Sequence, residues 1–359
     1  MLRKAKTGLA CCLLGAAVFC TPTVANAWYC SNNQNKNTCF ILDNPGDPNF
    51  NQLLGISNHQ VIVGYFGANM APQDPIANNG YVLVPPNHYS VENFTNFTPP
   101  GSDTASQTQA IGISNREIFP AIVGFYTDAN TTFTHGFLDY FGVQYPIDDP
   151  KGTSPTITAP VQNLLGVNRY NEAAGFWTDN NGKEHGFVVR IDIDVSKSSI
   201  NSLNFIEIPL TTFNGAVATQ ASNITDDHIV CGFWTDGNAN NHGFVGLLGD
   251  SSITHVFSFD VKIYGTTATS TSVFGCNNRG EIVGNFILSN QTHGFIFTHG
   301  RFIQYDPKGS SQTTILGVQG TFINAINDKG NIVGFFSDGV SKVDGFVDYN
   351  PLGYQEDRD

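Results

Sequence analysis

The chain has 359 residues, only 13% of them charged, and a formal charge of −13. That balance leaves no electrostatic footprint for nucleic acid or anionic lipid. Its 37 glycines, with many Asn, Thr and Ser, suit short strands and tight turns, and no stretch carries a sustained apolar stripe at helical spacing.

The first predicted element is a targeting segment. Arg3, Lys4 and Lys6 form a basic start and "TGLACCLLGAAVFC" a short apolar core; Ala25 and Ala27 stand at the small-residue positions before a cut ahead of Trp28. The apolar stretch is short for a membrane span and no other long one follows, so none is predicted. Residues 1–27 read as a cleavable signal peptide and the protein as secreted or periplasmic. Without those three cations, 14 Lys and Arg face 30 Asp and Glu, a charge of −16. Residues 28–38 form an N-terminal extension. Cys30 and Cys39 bracket the polar loop "CSNNQNKNTC", which in an exported chain predicts a disulfide. Cys231 and Cys276 occupy different positions within their repeats, and the choice between pairing across neighbouring units and two buried thiols stays open.

From residue 39 onward one unit recurs six times. A glycine closing an "IVG"-like strand stands at Gly64, Gly124, Gly175, Gly232, Gly284 and Gly334. A second, in "HGF" or a variant, stands at Gly80, Gly136, Gly186, Gly243, Gly294 and Gly345. Both marks keep step at about fifty residues, the period of a propeller blade. The fifth copy resolves best, as "VFGCNN", "EIVGNFIL", "HGFIFT" and "RFIQYDPKG", each bounded by turn residues. Four antiparallel strands per copy predict a six-bladed β-propeller. The last copy stops after its third strand at "DGFVDYN", while a fourth-strand motif, "CFILDNPGD", opens the repeat region at 39–47. Pairing the two closes the ring and leaves no exposed edge, so the N-terminal strand is predicted to complete the last blade. The propeller then spans 39–350, and 351–359 form a tail.

"GCNNRGEIVG", "AINDKGNIVG" and the "HGF" marks resemble the HAF-family extracellular repeat, whose units read roughly G-I-N-x-x-G-x-I-V-G followed by His-Ala/Gly-Phe. The resemblance covers essentially the whole chain after the signal segment and is strongest in copies five and six. Copy one departs with "GISNHQVIVG" and "NGY", copy two with the three-residue-longer "GISNREIFPAIVG", and copy six with "DGF". It implies secretion and a propeller-like repeat, and no defined activity.

Aromatic residues follow both glycines in all six copies. Phe66, Tyr126, Trp177, Trp234, Phe286 and Phe336 stand two after the first, and Tyr81, Phe137, Phe187, Phe244, Phe295 and Phe346 one after the second. A residue type demanded by every repeat points to blade-on-blade packing. Trp177 and Trp234, larger and in adjacent copies, are the candidates for sugar stacking. His185 and His242 open third strands six residues after Asp179 and Asp236. An Asp–His hydrogen bond across each hairpin is predicted, because equivalent positions around a ring cannot converge on one zinc. These six residues, Trp177, Trp234, Asp179, Asp236, His185 and His242, are the ligand-binding candidates; no catalytic or metal-ligating residue is assigned. "TDNNGKEHG" and "TDGNANNHG" lack the ordered acids of a calcium loop, so no cofactor is predicted, with calcium left open at a turn or in the channel. Two long connections, 67–79 and 190–204, break the repeat and are the places to look for function.

The favoured function is a secreted, monomeric binding module for a glycan or another extracellular macromolecule, with no chemistry of its own. The alternative is a calcium-dependent hydrolase, lactonase or lyase at the channel mouth. Convergence discriminates them, since an enzyme needs non-repeated acids and amides from several blades meeting near the axis.

Overall fold

The structure, a computed structural model, describes residues 30, 38–67, 78–85, 93–96, 105–128, 133–154 and 161–352. The predicted signal peptide, most of the extension, most of the long hairpin at 67–79 and the end of the tail lie outside them.

The described residues form six four-stranded antiparallel sheets. After β1 (Cys39–Ile41), blade one comprises β2 (Asn51–Ile56), β3 (Ile62–Phe66), β4 (Asn79–Leu83) and β5 (Phe94–Asn96). Blade two follows with β6 (Ala105–Ile113), β7 (Ile122–Asp128), β8 (Thr134–Tyr140) and β9 (Val143–Ile147). Blade three holds β10 (Gln162–Val167), β11 (Glu172–Thr178), β12 (Glu184–Asp194) and β13 (Ser199–Glu207). Blade four holds β14 (Ala216–Ile224), β15 (Ile229–Asp236), β16 (Asn241–Leu248) and β17 (Ile253–Phe259). A hairpin of β18 (Lys262–Ile263) and β19 (Thr266–Thr267) leads to blade five, β20 (Ser270–Cys276), β21 (Ile282–Leu288), β22 (Gln291–Thr298) and β23 (Arg301–Tyr305). Blade six has β24 (Thr321–Ile326), β25 (Ile332–Ser337) and β26 (Val343–Asp348).

β1 supplies the missing fourth strand. It pairs antiparallel with β26, Cys39 opposite Asp348 and Ile41 opposite Phe346, and the Leu42 N–H continues the ladder to Gly345 O at 2.9 Å. Blade six also bonds to blade one, through Asp328 N–H to Asn58 Oδ1 at 2.8 Å and Asn327 Nδ2 to Ser57 O at 2.9 Å. The ring is closed, and the six-bladed, four-stranded expectation holds.

The repeated glycines have two different physical causes. In every blade the ladder between the first and second strands skips one residue opposite the "IVG" glycine, a β-bulge. The skipped residues are Leu54, Ile111, Leu165, Ser222, Phe274 and Asn324. All but Ser222 line an axial cavity of about 50 Å³. The bulge drives a first-strand carbonyl onto the glycine, while a fully buried aromatic ring from the third strand, Phe295 over Gly284 for example, covers it across the ladder. The "HGF" glycine instead clears space between blades, as at Gly294, where a Cβ would meet Ile323 of blade six.

Cys30 and Cys39 are bridged, with their Cα atoms 5.0 Å apart, which holds Cys30 beside the closing strand. Cys231 of β15 and Cys276 of β20 are also bridged, at a Cα separation of 6.4 Å. This settles the alternative left open by the sequence as a bond between blades four and five. Residues 190–204 prove to be mostly strand. Their alternating pattern extends β12 and β13 as a ribbon whose Ile191, Ile193, Ile200 and Leu203 pack on a cluster that includes Tyr145 of blade two.

Candidate functional site

The meander puts the second-to-third-strand hairpins on one face of the ring. The first-to-second and third-to-fourth turns lie on the other, called here the mouth face. The sequence candidates all lie on the hairpin face. Trp177 sits opposite His185 and Trp234 opposite His242, and each pair stacks at 4.2 Å between ring centroids. Phe213 also stacks on Trp234, 5.4 Å away and nearly parallel, so the Trp234 ring is engaged by two neighbours. Trp177 is buried, and its indole donates to Glu207 at 3.1 Å.

The aspartates pin the hairpins. Asp236 Oδ1 accepts the N–H groups of Asn240 and Asn238 at 2.9 and 2.8 Å, and these donors, Asn240 first, hold its carboxyl down at about 2. Asp179 accepts from Asn181 and Lys183 in the same way. The predicted Asp–His pairing is present at His185, 3.3 Å from Asp179. At His242 it is the longer of two contacts, with Nε2 3.5 Å from Asp236 and Nδ1 2.9 Å from Asp260.

Asp260 belongs to a set that sequence reasoning missed. Just past the fourth strand, Asp148 and Asp306 hold His135 and His293 at 2.7 Å. The hydrogen bond it donates to Asp148 raises His135 above the usual imidazole value against the opposing effect of burial. The signal was legible as "IDDP", "FDVK" and "YDPKG", but each aspartate follows its histidine by 13 or 18 residues and the pairing needs the ladder to bring them together. Blade six replaces histidine with Asp344, whose fourth-strand counterpart is Asp43.

These contacts predict structural behaviour. His242→Ala and His185→Ala are each expected to lower stability by about 1–3 kcal/mol, with the larger loss at His242 because two carboxylates lose their partner. Thermal melts of both variants check this; unchanged melting in either would sink the assignment.

At the mouth, the turns after the first strands bring Asn58, Asn115, Arg169, Asp226, Asn278 and Asp328 together from six different blades. Amide oxygens accept backbone N–H groups of the preceding blade, Asn115 Oδ1 from Asn58 at 2.9 Å and Asn278 Oδ1 from Asp227 at 3.1 Å. Their NH₂ groups therefore turn inward. Asp328 Oδ2 receives Asn58 Nδ2 at 2.7 Å, Asn278 Nδ2 at 2.9 Å and, more distantly, Asn115 Nδ2 at 3.5 Å. Asp226 is claimed by Arg169, through its N–H at 2.8 Å and its Nε at 3.1 Å. The mouth is convergent and asymmetric, and its two acids are already occupied by donors.

Outside the mouth, blades two to four carry a run of aromatic and cationic groups that no repeat rule demands. The longer turn of copy two projects Phe119, 58% exposed, against Phe141, 46% exposed, at 5.1 Å between centroids. Both adopt left-handed φ, 54° and 56°, so strain is added to apolar exposure at two adjacent non-glycine residues. Phe141 meets Tyr140 edge-on at 4.6 Å, and Arg116 lies over the Tyr140 ring at 4.6 Å. Arg116 also bonds to the Tyr140 hydroxyl, Arg169 O and Asn171 Oδ1. Next come Arg169 and Tyr170, 53% exposed, which stacks on His228 at 5.3 Å. His228 is held by buried Glu172 at 2.7 Å, which also takes Arg190. The turn position that is Gly280 and Gly330 in copies five and six is Asn171 and His228 here, at φ 59° and 61°. Copies three and four thus keep side chains where glycine would be relaxed. The extra residues of copy two were visible in the sequence; their meeting with the turns of blades three and four was not.

No protein-family model matches the chain, and no curated protein does. Among solved structures it is similar to an arginine-to-alanine triple mutant of AofleA from Arthrobotrys oligospora, at 12% identity and a TM-score of 0.41, over 74% of this chain and 75% of that one. It is also similar to a puromycin-hydrolyzing peptidase of Mycobacterium tuberculosis, at 8% and 0.36, where 79% of this chain covers 43% of the other. A third is the β-propeller domain of the Trilobed protease from Pyrococcus furiosus, at 8% and 0.39, over 85% and 96%. Likeness at this level carries nothing about ligand or chemistry.

Proposed function

We propose that the protein is an exported, single-chain binding module that takes an extracellular glycan across the mouth face of blades two to four, with no chemistry of its own. One observation carries this reading: the continuous run from Phe119 and Phe141 through Arg116 and Arg169 to Tyr170 and His228. Half-exposed rings beside guanidinium groups suit a sugar's apolar faces and hydroxyls, and exposed aromatic patches of this kind mark binding surfaces. The two disulfides support export, in keeping with the HAF-type repeats the chain resembles. At the mouth, amide NH₂ groups facing Asp328 favour binding over a calcium-dependent hydrolase, which would need oxygens turned to the axis.

A panel of immobilised polysaccharides tests the reading. Phe119→Ala and Phe141→Ala are expected to weaken retention tenfold or more while leaving the melting temperature nearly unchanged. Undiminished retention in both variants would overturn it.

A further inference from the structure

We infer that the ligand of this face is an acidic polysaccharide, its carboxylate or sulfate held by the Arg169 guanidinium while its sugar rings lie along the Phe119–Phe141 end of the run. The inference rests on the glycan-binding reading above and adds the ligand's charge.

The chain as a whole is acidic, yet the ion pairs of the mouth face are built with the acid sunk and the base outward. The Asp226 side chain is 4% exposed and its partner Arg169 55%. Glu281 is 10% exposed and its partner Arg279 50%. Glu172 is buried beneath both Arg190 and the half-exposed His228. The carboxylates neutralise little at the surface because the turn amides and cations already enclose them, so the outward ends of the pairs present cationic donors.

Arg169 is the free member of this set. Its Nε goes to Asp226, and among the described residues its two Nη groups make no hydrogen bond. The Asp226 contact and the Arg116 bond to Arg169 O hold it in place, leaving a preformed two-pronged donor beside Tyr170. Such a fork matches a carboxylate or sulfate, and a lysine could not present it in the same plane. Arg116 is spent on three partners and serves as a buttress.

The exposed carboxylates Glu117, Asp227 and, on the third-to-fourth turn of blade four, Asp250 share the face. They disfavour a densely charged polymer and favour one with an acid group on each sugar and neutral surface between. The run crosses three blades, which calls for a chain of several sugars rather than a single residue.

The test uses the full chain and four probes: polygalacturonate, its methyl-esterified form, dextran sulfate and poly-glutamate. Wild-type protein is expected to bind polygalacturonate or dextran sulfate, with affinity falling as salt rises, and to bind the methyl ester at least tenfold more weakly. The preferred polymer separates uronate from sulfate. Arg169→Gln, checked for an unchanged melt, is expected to lose about tenfold for the acidic polymer and to flatten the salt dependence; the wild-type salt slope decides the matter if that variant misfolds. Equal binding of acid and ester, with no effect of Arg169→Gln, would overturn the acidic ligand and leave the glycan face standing if Phe119→Ala still abolishes retention. Equal binding of poly-glutamate would overturn the polysaccharide, and no binding to either acidic polysaccharide would overturn the inference outright.

Discussion

Gly284→Ala is expected to cost at least about 3 kcal/mol, although the change adds a single methyl group. Gly284 lies on β21 opposite Val273, where the bulge at Phe274 pushes the Ser272 carbonyl toward it. A Cβ built there falls far inside contact distance of that carbonyl oxygen and presses on the Phe295 ring from the other side. Neither neighbour can yield. The carbonyl belongs to a strand whose neighbouring bulged residue lines the channel, and Phe295 is fully buried between blades. The equivalent glycines meet Gln52, Gln109, Asn163, Gln220 and Phe322 carbonyls in the same way, so similar losses are expected around the ring. Gly237→Ala is the control. Gly237 lies in a hairpin with open space around its Cβ position and no left-handed φ, so its replacement is expected to stay within about 0.5 kcal/mol of wild type. Denaturant unfolding of the two variants decides it, and a mild effect at Gly284 would mean that the bulge is not the reason for the glycine.

Stability is also expected to fall as pH rises from 5 to 9, and the seam of the ring is where it is lost. Asp43 follows β1 and faces Asp344 of β26, with Asp43 Oδ1 accepting the Gly345 N–H at 3.3 Å. Burial, and then the Asp344 charge, push Asp43 up to about 8; burial pushes Asp344 up to about 6, with Lys342 opposing and Asp338 adding to the rise. Lys342, which opposes the rise, and Tyr81 are the other titratable groups facing Asp43. Both carboxyls release their protons near pH 4 in the unfolded chain. Between that pH and about 8 the folded state therefore holds protons that the unfolded state has lost. The stabilisation is complete below pH 4 and disappears as pH climbs through 6 toward 8. At about 1.4 kcal/mol per unit of displacement, the rise of Asp344 to about 6 alone corresponds to a loss of about 3 kcal/mol, and the larger rise of Asp43 adds to it. Asp43→Asn keeps the acceptor for Gly345 and removes the repulsion, so at pH 8.5 it is expected to be more stable than wild type by about 2 kcal/mol or more. His135, raised by Asp148, loses stability in the same direction over part of this range, which is why the variant comparison matters. Asp236, held at about 2, acts only below pH 4. Melts across the range would refute the latch if Asp43→Asn and wild type lose stability in parallel.

The repeat was legible because it is written in glycines and aromatics whose steric reasons are local. Gly284 must clear a bulge carbonyl one strand away, and Phe295 must cover it from the next; both partners lie within about twelve residues, so the constraint recurs in every copy and survives as a pattern. The displaced fourth strand was legible for the same reason, since β1 and β23 carry kindred motifs. The Asp–His pairs were only half legible. Asp179 lies on the same hairpin as His185, six residues away, whereas Asp260 reaches His242 only through the β16–β17 ladder, eighteen residues on.

The sequence by itself determined the six blades, the strand that closes them and the Cys30–Cys39 bridge, because each rests on short-range sterics or on one repeated phrase. Only the tertiary structure decided the rest. It joined Cys231 to Cys276 across a blade boundary, because that bond depends on how far two strands in different blades are staggered. It set Asp328 beneath amides from blades one, two and five, and it laid Phe119, Arg169 and His228 side by side. Those residues come from turns about fifty residues apart, and closing the ring brings each turn beside its neighbour. A side chain's neighbours across that distance are fixed by the ring's curvature and the length of each turn, which no local pattern records.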